Sequence, residues 1–186
     1  EVLHPADLKQ DLFNFSVVEK GFHTRSAIKI QDGCDNFCTF CIVPKVRGRA
    51  TSRPVKDVLE NVQRSLDLGN KEIVLTGVHI GRYGVDLNPK INLVYLLKKL
   101  QQVQGSYRIR LSSLEPLEVT EELIDLFADS EKICPHFHIP LQNGDDFILK
   151  RMRRNYTVSE YVKVIDRLVH KIPIVGLGTD VIVGFP

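Results

Sequence analysis

The chain has 186 residues and a net charge of +2, and 43% of its residues are hydrophobic, which is typical of one ordinary globular domain. No apolar run approaches the roughly 20 residues of a membrane helix, and the start lacks the basic and then apolar pattern of a secretory signal. We therefore expect a cytoplasmic protein without a membrane partner, whose four cysteines stay reduced and indicate metal or redox chemistry rather than disulfides.

Short apolar strands and amphipathic helices alternate along the chain. Residues 1–23 show no sustained period and are interpreted as a linker or extended arm, whereas residues 24–186 are interpreted as one core domain. Strands are predicted at 26–31, 72–77, 107–111, 136–141 and 175–183. Helices are predicted from Pro54 to a stop at Gly69, and at 93–100, 120–128, 145–151 and 158–170.

This alternation predicts an α/β fold in which helical crossovers join parallel strands, as either an open doubly wound sheet or a barrel. In both architectures, ligands bind beyond the carboxyl ends of the strands. The unusual segments follow successive predicted strands, and they are GCDNFCTFC, TGVHIGRYG, SSLEP and LQNGDD. We therefore expect one common site. Because the last predicted strand nearly reaches the end of the chain, we also expect a piece of a longer protein.

The segment GCDNFCTFC carries three of the four cysteines with the spacing C-x3-C-x2-C. These are Cys34, Cys38 and Cys41. Three soft thiolates suit zinc or an iron–sulfur cluster. A structural zinc takes four protein ligands, and Cys134 lies far along the chain in an apolar context typical of a buried small hydrophobe. A cubane cluster on three cysteines leaves one iron open, and the alternative is a zinc knuckle completed by His23 or His136.

A C-x3-C-x2-C loop after the first strand, with Phe40 just before the last cysteine, resembles the radical S-adenosylmethionine (SAM) superfamily. Longer matching segments are GCDNFCTFCIVPKVRGRATSRP, LTGVHIGRYG, RLSSLEP, HIPLQNGDDFILKRMRRNYT and TDVIVGFP. They are similar to the radical methylthiotransferases, and TGVHIGRYG is similar to the branch that modifies threonylcarbamoyladenosine beside the tRNA anticodon. The resemblance implies a TIM-type (β/α) barrel of parallel strands that is partial here, truncated at the C-terminus.

The resemblance also implies cofactors and partners. A 4Fe-4S cluster on the three cysteines would give one electron to SAM. The family also has an N-terminal domain with a second 4Fe-4S cluster, which is missing here and from which residues 1–23 would be the linker or arm. The electron donor would be a flavodoxin or ferredoxin, and the substrate would be a tRNA anticodon stem-loop. We expect this chain alone to bind cluster and SAM without completing methylthiolation. The alternatives are a methylthiotransferase acting on isopentenyladenosine tRNA or a ribosomal protein, and a zinc-stabilised RNA-binding module.

The matching segments also carry candidate cofactor-binding residues, although no catalytic residue is assigned. Glycine after the second predicted strand would let the main chain approach the methionine end of SAM, and polar groups after the third would bond its ribose hydroxyls. A histidine and a glutamine after the fourth would hydrogen-bond in the cofactor cavity, with a core histidine as the alternative. An arginine would bind the SAM carboxylate. The residues are Phe40, Gly77, Ser113, Glu115, His138, Gln142 and Arg154.

Two basic clusters, KVRGRATSR and KRMRR, flank the predicted mouth of the site. Their cations would meet tRNA phosphates and contribute salt-dependent affinity. The alternative is a solvated charged surface. The RNA-binding candidates are Lys45, Arg47, Arg49, Arg53, Lys150 and Arg151.

Overall fold

The computed structural model describes Phe13 and residues 24–186, so the rest of the predicted arm at 1–23 lies outside the described residues. The strands of this part are β1 (Arg25–Asp32), β2 (Thr51–Ser52), β3 (Glu72–Gly77), β4 (Arg108–Leu111), β5 (His136–His138) and β6 (Gly176–Gly178). Its helices are α1 (Val43–Val46), α2 (Val55–Asp67), α3 (Leu93–Gln101), α4 (Glu121–Ala128), α5 (Asp146–Arg151) and α6 (Val158–Lys171). Short 3-10 turns, Ile80–Arg82 and Pro116–Glu118, follow β3 and β4.

The strands form a curled half-barrel. β1, β3 and β4 are parallel neighbours, the short β2 pairs antiparallel with the end of β1, and β5 pairs in parallel with β6. A parallel bridge between Ile109 and Ile133 joins the two sets, as does a 2.9 Å hydrogen bond from the Leu114 N–H to the His138 carbonyl. The predicted α/β fold, a partial barrel of parallel strands, is confirmed.

The helices cover one face of the curled sheet and enclose the hydrophobic core. Along β3, the buried Ile73 and Leu75 alternate with Val74 and Thr76, because successive side chains of a strand point to opposite faces. Burying one such aliphatic side chain stabilises the fold by about 1.5–3 kcal/mol. Helix residues at most 1% exposed in this core are Val58, Val62, Leu96, Leu97, Leu100, Leu123, Ile124 and Leu168.

An ion-pair triad ties three parallel strands together. Glu72 on β3 accepts from Arg25 on β1 at 2.9 Å and from Arg110 on β4 at 2.7 Å. Burial raises the pKa of Glu72, but the hydrogen bond from Arg110 and the nearby cationic charges outweigh burial and hold the pKa below its ordinary value. The ionised carboxylate therefore stabilises the strand order β1-β3-β4.

The helices begin and end at local signals, within one or two residues of the predicted bounds. α2 is followed by Gly69, which adopts a φ of 84° and donates its N–H to the Leu66 carbonyl at 2.8 Å. Thr120 caps α4 and Asp145 caps α5 with side-chain oxygens, as Ncap residues do. In the described ranges, no helix combines the length and apolar character that crossing a membrane requires.

Two strands are shorter than predicted by three residues or more, and β4 is shorter by one. β5 ends at His138 rather than at 141, and β6 occupies Gly176–Gly178 rather than 175–183. Pro140 has no N–H to donate, and the Pro140 and Leu141 carbonyls accept from the Tyr156 hydroxyl at 3.1 and 2.9 Å. Beyond that point the two segments are joined by scattered hydrogen bonds and by an isolated bridge between 142 and 181, not by a continuous strand pairing. β2 and α1 were not predicted, because two and four residues are too few to show a period.

Candidate functional site

The cysteine loop, residues 33–41, leaves the carboxyl end of β1 and is closed at its base by the chain that returns as β2. The Cys34 N–H donates to the Gly48 carbonyl at 3.0 Å. Gly33 has a φ of 70°, and a Cβ at this position would lie 2.1 Å from the Arg49 carbonyl oxygen. Only glycine fits here, because a side chain would strain the backbone and collide with the returning chain.

The other half of the cysteine loop is fastened to the end of α5. The Thr39 N–H donates to the Met152 carbonyl at 3.1 Å, and the Thr39 hydroxyl donates to the Arg151 carbonyl at 3.0 Å. Carbonyls at the C-terminal end of a helix have no partner within the helix, so they are open to such contacts. This clamp places Arg154 beside Cys38, although the two are 116 residues apart in sequence.

Two of the three thiols face nitrogen donors of basic side chains. His79 Nδ1 lies 3.3 Å from the Cys34 sulfur, and Arg154 Nη1 donates to the Cys38 sulfur at 3.0 Å. Burial raises the pKa of Cys34, but hydrogen bonds from His79 and from the Asn36 N–H outweigh burial and hold the pKa below its ordinary value. Thiolate, the form that binds metals, is therefore favoured at Cys34.

His79 lies buried between a cysteine and a carboxylate. It is 6% exposed, and its Nε2 is 2.6 Å from Glu118 Oε1, an ion pair whose N–H direction is poorly aligned for a hydrogen bond. Burial lowers the pKa of His79, but its contacts with Cys34 and Glu118 outweigh burial and raise the pKa to about 9. The side chain therefore carries a positive charge at neutral pH.

The buried group that contains His79 was missed by sequence reasoning. Gln31 is fully buried, its Oε1 accepts from the His79 N–H at 2.6 Å, and its amide donates to the Asp32 and Gly33 carbonyls at 2.8 Å each. Cys34 and His79 are 45 residues apart, so no local pattern connects them. The sequence signal is weak: a polar side chain near the end of one buried strand, Gln31 in β1, and another two residues after the next, His79 after β3.

The donor set of the cysteine loop fits an iron–sulfur cluster better than a single metal ion. Within Phe13 and residues 24–186, no three His, Cys, Asp or Glu side chains are arranged to hold one ion. In a cubane each thiolate binds a different iron, so the cysteines stand further apart than ligands of one zinc. A loop with three thiols, two of them beside basic donors, has the ligand chemistry that a cluster requires.

The zinc alternative has no fourth ligand in the described part of the chain. His23 lies outside the described residues, and His136 joins no group of metal-ligating side chains there. Cys134 is 2% exposed, and burial raises the pKa of its thiol, which opposes metal binding. The prediction that Cys134 is a buried small hydrophobe is confirmed.

A cavity of about 440 Å³ opens beside the cysteine loop, within the volume range of small-molecule sites. Asn36 and His79 line it together with Glu115, Arg154 and Tyr156. The Arg154 side chain is 4% exposed, forms an ion pair with Glu115, and lies over the Tyr156 ring at 5.0 Å. The structure thus brings two predicted cofactor residues, Glu115 and Arg154, next to each other and to a cysteine of the loop.

Three other predicted cofactor residues form a second group at the ends of β4 and β5. Ser113 Oγ and His138 Nδ1 are 2.7 Å apart, and His138 Nε2 is 3.4 Å from Asp180. Gln142 has a φ of 66°, and its N–H and carbonyl pair with Asp180 and Ile182 at 2.9 and 2.7 Å. Among the described residues that line the 440 Å³ cavity, none belongs to this second group.

Gly77 and Phe40 contact other parts of the chain. Gly77 ends β3, and a Cβ there would lie 2.7 Å from the Gln31 carbonyl oxygen, so the approach of β1 already requires glycine. Phe40 is 39% exposed, and its ring meets Phe185 edge-on with 6.5 Å between centroids. Neither contact involves a ligand, and their roles with SAM stay predictions.

Five of the six RNA-binding candidates are exposed, and they are Lys45, Arg47, Arg49, Lys150 and Arg151. Arg53 corrects the prediction, because it is only 8% exposed. Its guanidinium donates to the carbonyls of Phe13 at 3.1 Å and of Lys29 at 3.5 Å. Arg53 directly follows β2, and its backbone N–H donates to the Ile30 carbonyl of β1 at 2.8 Å, which turns the residue into the protein. The buried side chain is therefore not available to a phosphate.

Comparison with known proteins extends beyond the cysteine loop. A family model described as "Radical SAM superfamily" matches residues 28–186. The chain is 46% identical over 164 residues to a threonylcarbamoyladenosine tRNA methylthiotransferase of Bacillus subtilis, which covers 88% of this chain and 36% of that protein. It is 45% identical over 159 residues to a tRNA-2-methylthio-N(6)-dimethylallyladenosine synthase of Syntrophotalea carbinolica, covering 86% and 36%. The chain thus spans about a third of the length of these relatives.

Solved structures share the fold at low sequence identity. The cobalamin-dependent SAM radical enzyme OxsB matches with a TM-score of 0.65 at 16% identity, over 84% of this chain and 23% of that chain. The radical SAM methyltransferase TsrM from Kitasatospora setae, solved with cobalamin and a [4Fe-4S] cluster, matches with a TM-score of 0.63 at 15% identity, over 83% and 30%. These two likenesses concern the half-barrel alone.

Proposed function

The chain belongs to the radical SAM superfamily, and we propose that it is the catalytic core of a tRNA methylthiotransferase that modifies N6-threonylcarbamoyladenosine next to the anticodon. The superfamily implies a 4Fe-4S cluster and SAM. The observation that carries the proposal is the cysteine loop, which is clamped at both ends and has two thiols beside basic donors. The threonylcarbamoyladenosine substrate is supported by the name of the Bacillus subtilis relative and by TGVHIGRYG.

The three cysteines would hold three irons and leave the fourth for the amino and carboxyl groups of SAM. A reduced cluster held there would supply the electron that breaks the sulfonium bond of SAM. The protein's own part is to hold its thiolates in register, and the contacts of Cys34 with His79 and of Cys38 with Arg154 favour the charged sulfur. A second 4Fe-4S cluster belongs, in this proposal, to protein outside these 186 residues, because the remaining Cys134 is buried.

Arg154 has the donor capacity to hold the SAM carboxylate. A guanidinium has five N–H donors. Three are used here, by the Cys38 sulfur, by Glu115 and by the Tyr156 hydroxyl, which leaves two of the five. Two N–H groups match the two oxygens of a carboxylate. Glu115 is the neighbouring acceptor for the ribose hydroxyls, and the Ser113 and His138 pair would bond SAM from the β4 and β5 side.

The exposed cations around the cysteine loop would meet the phosphates of the anticodon stem-loop. They lie on two segments that the Thr39 clamp holds together, 42–49 and 147–153. We place the protein in the cytoplasm, where tRNA and a flavodoxin or ferredoxin as electron donor are found. Alone, the 186 residues are expected to bind cluster and SAM without completing methylthiolation, since they span about a third of the relatives' length.

A second candidate is methylthiolation of isopentenyladenosine, that is dimethylallyladenosine, in tRNA. The Syntrophotalea carbinolica relative carries that name at 45% identity, only one percentage point below the Bacillus subtilis relative. The two candidates share the cluster and SAM and differ only in the base that enters the site.

Anaerobic reconstitution with iron and sulfide tests the cofactor part of the proposal. We expect about four irons per chain and an electron paramagnetic resonance signal that changes when SAM is added. Cys38→Ala should lose most of the iron, whereas the matched control Cys134→Ala should keep it. One zinc per chain without sulfide, or equal iron in both variants, would overturn the cluster assignment.

Binding of synthetic anticodon stem-loops tests the substrate part. Stem-loops carrying threonylcarbamoyladenosine should bind more tightly than the same stem-loops carrying isopentenyladenosine or adenosine, measured at one fixed salt concentration. The reverse order would favour the second candidate. Equal binding of all three would reject both assignments of the base while leaving the cluster result intact.

A further inference from the structure

Within the cluster-binding function proposed above, the contact between Cys34 and His79 has a further consequence. His79 is not a surface residue that happens to approach sulfur, because it is 6% exposed and lies against Cys34 on one ring nitrogen and Glu118 on the other. The distances are 3.3 Å to the sulfur and 2.6 Å to the carboxylate. The imidazole therefore bridges the cysteine loop and the turn that follows β4.

The main chain fixes the position of this imidazole. Gln31, at the end of β1, accepts from the His79 N–H and donates to the Asp32 and Gly33 carbonyls, so one side chain ties His79 to the first residue of the cysteine loop. On the opposite side, Gly81 makes room for the carboxylate, because a Cβ there would lie 1.8 Å from Glu118 Oε2. His79 is thus held from three directions.

The identity of the donor follows from the chemistry of the three groups. A cysteine bound to iron is a thiolate and can only accept hydrogen bonds. An ionised Glu118 can also only accept. His79 Nδ1 lies 3.3 Å from a sulfur that can only accept, so the hydrogen in this contact must sit on Nδ1, and Nδ1–H faces the sulfur.

We propose that His79, oriented by Glu118, is a positioning residue that donates an N–H···S hydrogen bond to Cys34 and so raises the reduction potential of the cluster on the three cysteines. Hydrogen bonds to ligand sulfurs are one of the factors that set cluster potentials. Reduction adds negative charge to the cluster, and a donor aimed at sulfur stabilises that charge. The carboxylate behind the imidazole acts as in metal-binding histidines, where an outer partner fixes the ring orientation.

The reduction potential of the reconstituted cluster is the test, measured by redox titration followed by electron paramagnetic resonance. His79→Leu removes the donor and should lower the ratio of reduced to oxidised cluster about tenfold at a fixed potential, because the hydrogen bond is stronger to the more negatively charged reduced cluster than to the oxidised one. For one electron this equals a shift of about 59 mV to more negative potential. His170→Leu, on the exposed side of α6, is the matched control and should leave the potential unchanged.

Two further variants keep the test decisive if His79→Leu fails to bind iron. His79→Gln keeps an N–H donor and should retain more of the wild-type potential than a variant without one. Glu118→Gln leaves the imidazole in place but weakens its orientation. It should shift the potential in the negative direction, and lower the ratio of reduced to oxidised cluster by less than the tenfold expected for His79→Leu. An unchanged potential in Glu118→Gln at normal iron content would overturn the inference, as would an unchanged potential in His79→Leu.

The inference and the proposed function fail in different ways. If the wild-type chain takes up no iron and sulfide, the proposed function fails first. If it takes up the cluster and responds to SAM, but the potentials of the His79 and Glu118 variants equal that of the wild type, only the role of His79 is lost.

Discussion

The two ends of the curled sheet are held by different kinds of contact. Around the cysteine loop, the buried polar side chains of Gln31, Asp32 and His79 are all hydrogen-bonded or ion-paired. At the β5 and β6 end the strands have three residues each, and Leu177 and Val183 are 41% and 91% exposed. The cysteine-loop end is therefore expected to be the more rigid of the two. Substitutions there should lower the free energy of unfolding more than substitutions at the β5 and β6 end.

Truncating one leucine on β3, the neighbour of the cysteine-loop strand β1, and one on β6 gives the largest expected contrast. Leu75 on β3 is fully buried, so Leu75→Ala should lower the free energy of unfolding by about 2–5 kcal/mol. Leu177 on β6 is already 41% exposed, so Leu177→Ala should cost less than about 1 kcal/mol. Urea denaturation of both variants checks the difference. Equal losses would mean that β6 is packed as firmly as β3.

Two glycines with nearly the same φ allow the cost of a left-handed backbone to be measured apart from the cost of a steric collision. Gly33 and Gly48 have φ values of 70° and 73°, but only Gly33 has chain atoms where a Cβ would go. Gly48→Ala should cost about 1 kcal/mol from the left-handed backbone alone. Gly33→Ala should cost about 3 kcal/mol and lower the iron bound on reconstitution. If the two alanine variants were equally stable, the loop base would be looser than the contacts with Arg49 indicate.

The capping box of α6 provides a smaller effect beside the sparse end of the sheet. Thr157 accepts from the Glu160 N–H, and the Glu160 carboxylate accepts from the Thr157 N–H. Thr157→Ala should cost about 1 kcal/mol. Thermal unfolding followed by circular dichroism measures it, with Thr157→Ser as a control that retains the hydroxyl. A loss in the serine variant as large as in the alanine variant would argue against the hydrogen bond as the cause.

The smallest expected effect is a pH dependence from the Glu72 triad. The folded-state pKa of Glu72 lies below its ordinary value, so its contribution to stability is fully present above the unfolded pKa. That contribution is lost as the pH falls through the folded pKa. Glu72→Gln should therefore be less stable than wild type at neutral pH, with the difference shrinking in acid. A constant difference across urea titrations at several pH values would contradict this.

The order of elements could be predicted from sequence because the start or end of each long element is marked by residues close to it in sequence. Gly69 ends a helix through its own backbone conformation, and Thr120 starts one with its own hydroxyl. β2 could not be predicted, since a two-residue strand exists only through its pairing with β1. The predicted strand at 136–141 is wrong beyond His138 because the hydroxyl of Tyr156, from the loop between α5 and α6, binds the carbonyls of Pro140 and Leu141.

In the candidate site, too, local features could be predicted and tertiary contacts could not. Cys34, Cys38 and Cys41 lie within one short segment, so their spacing could be recognised in the sequence. Arg53 lies in the same basic segment as the exposed Arg49, and its tertiary contacts with the Phe13 and Lys29 carbonyls set it apart. The contacts of Cys34 with His79 and of Cys38 with Arg154 join residues 45 and 116 positions apart, and no local pattern encodes them.

The clamp between Thr39 and the end of α5 can form only after most of the chain has been translated. Its two partners are 112 residues apart, so a ribosome working at about 5–20 residues per second needs roughly 6 to 22 s to make the second after the first. Throughout that interval the cysteine loop lacks its contacts with the Arg151 and Met152 carbonyls at the end of α5. If the loop holds the proposed cluster, insertion into the finished loop would follow translation of this whole stretch, and the early cysteines would have to stay reduced until then.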